Sequence, residues 1–155
     1  MRPILLSLML AAACATTREP GSGTIAIKSF GYPAARPASY SVGKGVISGS
    51  DLELRLDDSC VRGSLRREPI DLCRDPANPA HWVGSSGDVT AATSPDGKHV
   101  NVQGVMILRG FQQLDVSQVI PLEDGSAWEE LRKNPILLVL ATTATDLEAR
   151  RTSRR

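Results

Sequence analysis

Two cysteines stand at a spacing that suits a covalent cross-link. The segment "CVRGSLRREPIDLC" runs from Cys60 to Cys73 and can be drawn as a β-hairpin with its turn at Arg66-Arg67. In that register the two cysteines lie opposite each other, on the face that does not carry the apolar residues. Opposed Cβ atoms are about 4.5–5.5 Å apart, so a disulfide needs little backbone movement. It would contribute about 3 kcal/mol by closing a short loop. A pair of unlinked buried thiols is the alternative.

The other residues capable of catalysis or metal binding lack the spacing of a familiar site. His81 and His99 are the two histidines, and neither belongs to an H-x-x-x-H or H-E-x-x-H pattern. A zinc site needs three or four convergent ligands, so we predict no metal and no cofactor. Ser41 and Lys44 have S-x-x-K spacing, but the S-D-N and K-T-G companions are missing. We interpret the two histidines as surface or partly buried residues and the S-x-x-K spacing as a chance match, and we predict that the protein is not an enzyme.

The third cysteine, Cys14, ends a leader of distinct composition. Arg2 supplies a positive charge, residues 4–10 are apolar except for Ser7, and residues 11–13 are all alanine. A charged start, a short apolar segment and a small-residue zone form the layout of a secretory signal. The apolar segment is too short to cross a bilayer as a helix, which needs about 20 residues. The end of this leader, "LAAAC", resembles the lipobox of bacterial lipoproteins.

The resemblance implies a processing route rather than a fold. In that class the thiol of the cysteine, here Cys14, receives a diacylglycerol, and cleavage then removes the signal peptide, here residues 1–13. The acyl chains hold the protein at a membrane, since each buried methylene contributes about 0.8 kcal/mol. In this class Asp after the cysteine commonly retains the protein at the inner membrane. Here Ala15 follows, which favours the outer membrane if the host has two. An ordinary cleaved secretion signal and an uncleaved anchor are the alternatives.

Lipidation of Cys14 would also explain the odd number of cysteines. Two cysteines, Cys60 and Cys73, would then remain to pair with each other, as expected for a disulfide in an oxidising compartment.

Composition limits the class of partner. A chain of 155 residues with 41% hydrophobic residues suits a single domain with a real core. Its 18 basic and 17 acidic residues nearly cancel, and aromatic residues make up only 4%. Neither a strong positive field nor a base-stacking surface is available, so we predict no nucleic-acid partner.

The chain divides into three parts after the predicted signal peptide. Residues 14–23 form the lipidated cysteine and a polar, flexible tether, whose nine residues after Cys14 reach roughly 16 Å. Residues 24–147 form one β-rich domain, and residues 148–155 form a basic tail predicted to be disordered. The tail carries four candidate contacts with anionic headgroups, each worth about 1 kcal/mol near such a surface: Arg150, Arg151, Arg154 and Arg155. A frayed, solvated tail without that role is the alternative.

Alternating hydrophobicity predicts several short strands. The clearest is "DLELRLD" at 51–57, where leucines occupy every second position. Further strands are predicted at 24–28, at 114–120 and in a hairpin over 89–109 with its turn at 95–97, whereas 31–45 and 74–88 read as loops. Six to eight strands of this kind predict a mainly β fold, an antiparallel meander forming a small barrel or sandwich.

One short helix is predicted near 127–134. In "SAWEELRKNP", Ser126 followed three residues later by Glu129 has the pattern of a capping box, and Asn134-Pro135 ends the segment. The following "ILLVLATTAT" at 136–145 is predicted to be a buried strand. A helix continuing through 146–151 is the competing interpretation.

Three functions fit these features to different degrees. The leading hypothesis is a lipid-anchored envelope lipoprotein that binds a partner protein or envelope component. The second is a carrier of a small apolar ligand, which requires an interior pocket and is excluded by a filled interior. A small hydrolase is the weakest.

Overall fold

A computed structural model describes residues 21–108 and 113–155. The predicted signal peptide, Cys14 and most of the predicted tether lie outside the described residues. The described part contains eleven strands and two helices, namely β1 (Gly23–Ile27), β2 (Ala38–Gly43), β3 (Val46–Gly49), β4 (Leu52–Asp57), β5 (Cys60–Leu65), β6 (Glu68–Asp75), β7 (Asn78–Gly84), β8 (Gly87–Thr93), β9 (His99–Met106), β10 (Leu114–Asp115), β11 (Gln118–Pro121), α1 (Ser126–Lys133) and α2 (Pro135–Ser153).

The strands form one antiparallel meander. From β1 to β9 each strand pairs with the next one in the chain. Both β10 and β11 pair with the other side of β9 in a single register, interrupted at Val116 and Ser117, so together they act as the last strand. The sheet stays open between β1 and this last strand. The predicted fold class, a mainly β antiparallel meander with a short helix near 127–134, is confirmed.

The number of strands exceeds the prediction because two segments predicted as loops form strands. The segment 31–45 contains β2 and the segment 74–88 contains β7. Prolines obscured both, since Pro37 immediately precedes β2 and Pro79 is the second residue of β7. Proline is tolerated at the start of a strand, where its missing N–H costs little.

The hairpin formed by β5 and β6 has the predicted register. Cys60 pairs with Cys73, and Arg62 pairs with Asp71 on the same face. A disulfide joins the two cysteines. The opposite face packs into the core, where Val61 and Leu72 are completely buried. Period-two alternation therefore placed every residue of this hairpin on the correct face.

The helix α1 lies where it was predicted, but the predicted capping box is wrong. Gly125 occupies the N-cap position, and no side chain caps this helix end. Ser126 is already helical, and its hydroxyl donates to the Ser22 carbonyl at 2.8 Å. Glu129 instead forms an ion pair with Arg132 one turn later. Ser126 thus joins the helix to the segment before β1 rather than closing its own first turn.

The buried strand predicted at 136–145 is wrong, because these residues lie in α2. Pro135 stands at the first helical position, where its fixed φ suits a helix and its missing N–H is not needed. The next ten residues, 136–145, are all buried. A helix buried on every side has no polar stripe, so its sequence lacks the 3.6-residue period that would distinguish it from a strand.

The sheet curls around α2. The helix contacts β1, β3 and β4 near one edge of the sheet and β8 towards the other, so the sheet must bend to reach it from both sides. Threonines are accommodated because two of their hydroxyls bond within the helix, Thr143 to the Val139 carbonyl and Thr145 to the Ala141 carbonyl. The architecture is an open barrel whose interior is filled by a helix.

Residues 148–153, which the sequence analysis assigned to a disordered tail, form the last turns of α2. Their helical order follows from Leu147 and Ala149, which are buried and hold this part of the helix against the rest of the domain.

Neither helix in the described part of the chain is long and apolar enough to cross a membrane.

Replacing Gly63 in β5 by alanine should destabilise the domain. Gly63 has a φ of 146°, and a Cβ there would lie 1.9 Å from the Glu53 carbonyl oxygen of the neighbouring strand. Neither backbone can move without breaking the ladder, so we expect a loss of about 2–3 kcal/mol in the free energy of unfolding. Urea unfolding followed by circular dichroism measures it.

The matched control is Gly31→Ala, since a Cβ at Gly31 meets no atom within 4 Å. Equal stability of the two variants would contradict the packing described for β4 and β5.

Candidate functional site

Four arginines line one cleft at the end of α2. The cleft has a volume of about 390 Å³ and is lined by Arg66, Leu147, Arg150, Arg151 and Arg154. We call it the arginine cleft. It forms because the turn between β5 and β6 and the C-terminal turns of α2 meet at the same end of the sheet.

Helical spacing explains why the α2 residues share the cleft. Leu147, Arg150, Arg151 and Arg154 follow one another at steps of three, one and three residues, which places them on one face of a helix. Three of the four arginines predicted to contact headgroups are thus brought together. Arg155, the fourth, is exposed and does not line the cleft.

Arg66 was not predicted as a site residue, and it reaches the cleft from a strained turn. Arg66 and Arg67 have φ values of 50° and 69°. A two-residue hairpin turn of this kind requires positive φ at both positions and is usually built from Asn-Gly. Side chains with a Cβ cost about 1–2 kcal/mol per residue in this conformation. The turn is also tied to the preceding hairpin, because the Arg66 N–H donates to the Asp51 carbonyl at 2.7 Å.

Acidic residues neutralise only part of the positive charge. Arg151 donates to Glu148 at 2.8 Å. This hydrogen bond is the main cause that lowers the pKa of Glu148, and the charge of Arg66 adds to it. The same bond raises the pKa of Arg151, with a smaller contribution from Asp51. Among the described residues, the side chains of the other three arginines that line the cleft make no hydrogen bond or ion pair.

A second cleft adjoins the first. It has a volume of about 340 Å³ and shares Leu147, Arg150 and Arg154 with the arginine cleft. Two carboxylates line it, and both already have partners. Asp146 accepts from the Ser29 hydroxyl at 2.6 Å and from a backbone N–H, and Asp115 accepts from the Ser117 N–H at 2.8 Å. Arg150 and Arg154 therefore line both clefts.

The chain enters the domain at the opposite end of α2. Ser22 bonds to Ser126 in α1, and a Cβ on Gly23 would lie 3.3 Å from that of Ala127. From there β1 runs in the same direction as α2, since Ser29 just beyond its end reaches Asp146. The fifteen residue steps from Pro135 to Arg150 span about 22 Å of helix. The start of the described chain, next to α1, therefore lies at the end of α2 away from the arginine cleft.

The outer face of the sheet holds a separate polar cluster. His81 Nδ1 lies 3.2 Å from Asp75, and its Nε2 lies 2.6 Å from Asp88. Hydrogen bonds that the imidazole donates to Asp88 first and to Asp75 second raise the pKa of His81. The pKa of Asp75 is lowered, mainly by the Ala77 backbone N–H and then by His81. This cluster links β6, β7 and β8, and no described hydroxyl bonds to the imidazole, so it has the character of a structural ion pair.

The remaining sequence candidates are not assembled into a site. Ser41 and Lys44 are both exposed and share no hydrogen bond. Within residues 21–108 and 113–155, no group of three or more His, Cys, Asp or Glu side chains could hold a metal ion.

Replacing Arg66-Arg67 by Asn-Gly should stabilise the β5–β6 hairpin. The new residues adopt positive φ readily, so we expect the free energy of unfolding to rise by about 1 kcal/mol. Thermal unfolding of the double variant measures this change. Arg66→Lys with Arg67→Lys is the control, because lysine retains the charge and the conformational cost. Stabilisation of both variants alike would contradict the assigned turn strain.

The pKa of the His81 imidazole should lie above its ordinary value of about 6.5, and Asp88→Asn should lower that pKa. Because the folded-state pKa is raised, the stabilisation from His81 is complete below the unfolded-state pKa and disappears as pH rises through the folded value. NMR titration of the ring, together with unfolding at several pH values, tests both statements. Asp124→Asn, at an exposed position in the loop before α1, serves as the control. A titration of His81 that Asp88→Asn leaves unchanged would contradict the hydrogen-bonded pair.

Comparison with known proteins does not supply a function. No protein family, no curated protein and no solved structure matches this chain.

Proposed function

We propose that this protein is a lipid-anchored lipoprotein of the cell envelope, without enzymatic activity, whose β domain binds a partner protein or another envelope component. The observation that carries the proposal is the distribution of the three cysteines. Two of them, Cys60 and Cys73, form a disulfide. The third, Cys14, ends the lipobox-like sequence "LAAAC".

The disulfide supports an exported location. Disulfides form and persist in oxidising compartments such as the periplasm and the cell surface, and are rare in the cytosol. The pair also leaves Cys14 as the single cysteine available for a lipid. Two or three acyl chains on this residue would hold the domain stably at a bilayer.

The filled interior favours partner binding over the carriage of an apolar ligand. A carrier needs an internal space, whereas here α2 occupies the inside of the curled sheet. Leu138 and Leu140 in the helix have no measurable exposure. The same is true of seven strand residues, namely Ile47, Val61, Leu65, Leu72, Val89, Val100 and Met106. A surface site such as the arginine cleft is then the natural place for recognition.

A hydrolase is supported less well by the same geometry. The His81 imidazole is held between two carboxylates, and no nucleophile in the described part of the chain is hydrogen-bonded to it. Ser41 and Lys44, the other candidate pair, do not contact each other.

Replacing Cys14 by serine should release the protein from membranes. The parent should fractionate with membranes and carry the mass of the chain from Cys14 onward plus acyl groups, while Cys14→Ser should remain unacylated and soluble. Fractionation and intact-mass measurement, before and after thiol reduction, give both results. The control is Cys60→Ser with Cys73→Ser, which removes the disulfide but leaves the anchor. Equal membrane retention of the parent and Cys14→Ser would contradict the proposal.

A further inference from the structure

We propose that the arginine cleft is a binding site for a phosphate-bearing anion. The inference deepens the proposed function, since it names the chemistry of the envelope component, but the cleft itself does not depend on the lipid anchor. Its lining comes from two elements that are distant in sequence, the β5–β6 turn and the last turns of α2.

The convergence of unpaired guanidinium groups is the main support. Arg66, Arg150 and Arg154 line the same cleft and have no hydrogen-bonding or ion-pairing partner among the described residues. A guanidinium presents a rigid fork of N–H donors that matches two oxygens of a phosphate at once. Three such groups lining one cleft offer several N–H donors to a phosphate, and none of their side chains has a hydrogen bond to a described residue that would have to break first.

The lining of the cleft is mostly basic. Leu147, which is buried, is the one apolar residue among the four arginines that line it. The acidic groups that interact with the arginines of the cleft are Asp51 and Glu148, and Glu148 is already paired with Arg151. Asp115 and Asp146 line the adjoining cleft and accept hydrogen bonds from other residues, so neither is hydrogen-bonded to an arginine of the cleft.

Stabilisation of α2 alone does not account for the arrangement. Basic residues near a helix C-terminus interact favourably with the helix dipole, and Arg150 and Arg151 occupy that position. Arg66 is not part of any helix. It stands in a turn whose geometry favours Asn-Gly, and it enters the cleft in spite of the backbone strain. Strain that places a charged side chain in a cleft is characteristic of a binding residue.

The phosphate can come from a lipid headgroup or from a phosphate-bearing molecule in solution. The cleft lies at the end of α2 away from the start of the described chain, and α2 spans about 22 Å from Pro135 to Arg150. From Cys14 to Gly21 the chain reaches at most about 24 Å when fully extended. The cleft can therefore touch the anchoring bilayer when α2 lies along its surface, and it faces away from that bilayer when α2 stands upright.

The experiment uses the full chain with Cys14→Ser in every protein, so that acyl groups do not contribute. One arm measures binding of sodium pyrophosphate by calorimetry at low ionic strength. The other measures cosedimentation with phosphatidylcholine vesicles, with and without phosphatidylglycerol. The test variant replaces Arg66, Arg150 and Arg154 by glutamine. The control variant removes the same charge from exposed positions elsewhere, by replacing Arg36, Arg55 and Lys98 by glutamine.

We expect the test variant to bind about tenfold more weakly or worse, and the control variant to bind like the parent. Binding of pyrophosphate by the parent would indicate a soluble ligand. Binding confined to vesicles with phosphatidylglycerol would indicate a headgroup. Circular dichroism confirms folding of each variant, and a variant with Arg150→Lys and Arg154→Lys retains charge without the guanidinium fork, so it should bind more weakly than the parent.

Absence of binding in both arms would overturn the proposal, as would equal binding by the test and control variants or full binding by the lysine variant. These outcomes are independent of membrane fractionation. A protein that binds pyrophosphate but is not retained at membranes through Cys14 would refute the lipid anchor and support the anion site. A protein that is retained through Cys14 but binds neither pyrophosphate nor vesicles would refute the anion site and support the anchor.

Discussion

The fold depends on enclosing a helix that has no polar side. The α2 residues from 136 to 145 are all buried, so water must be excluded from every direction around that part of the helix axis. A flat sheet could cover only one side. A meander of short antiparallel strands, each twisted relative to its neighbour, can curl far enough to cover most of the circumference. The sheet stays open between β1 and its last strand because it wraps around a helix of fixed diameter and does not close on itself.

Polar groups fix the position of the helix inside the sheet. The Tyr40 hydroxyl on β2 lies 2.8 Å from the Thr145 hydroxyl and donates to the Ala141 carbonyl at 3.2 Å. At the other end, the buried Glu130 carboxylate accepts from the Gly45 N–H and from the Asn134 side-chain amide, each at 2.8 Å. Apolar contacts are tolerant of small shifts along a helix, whereas these bonds hold at one position only. They define where the C-terminal turns of α2, and hence the arginine cleft, stand relative to the strands.

The sequence was sufficient for features that depend on local alternation. β4, the β5–β6 hairpin and its disulfide follow from the period-two pattern, because each has one buried and one wet face. The helical structure of 136–145 could not be predicted in this way, because a completely buried segment has no periodic alternation of apolar and polar residues. The N-terminus of α1 was misassigned for a different reason. Ser126 has the correct residue type for a cap, but a tertiary contact with Ser22 uses its hydroxyl.

The site could be predicted only in part. Arg150, Arg151 and Arg154 were identified from their charge, but as members of a tail. Their common face becomes apparent only when α2 is known to continue through Ser153. Arg66 carried a signal that could have been used, because Arg-Arg at the centre of a two-residue hairpin turn departs from ordinary turn chemistry. Its proximity to α2 depends on strand topology and could not be derived from spacing.

The order of elements along the chain has a consequence for folding kinetics. α2 follows every described strand, yet it supplies the interior against which those strands pack. The apolar inner face of the meander is therefore without its native contacts to α2 until the C-terminal residues are available. Contacts of this kind, between residues far apart in the sequence, are associated with slower folding.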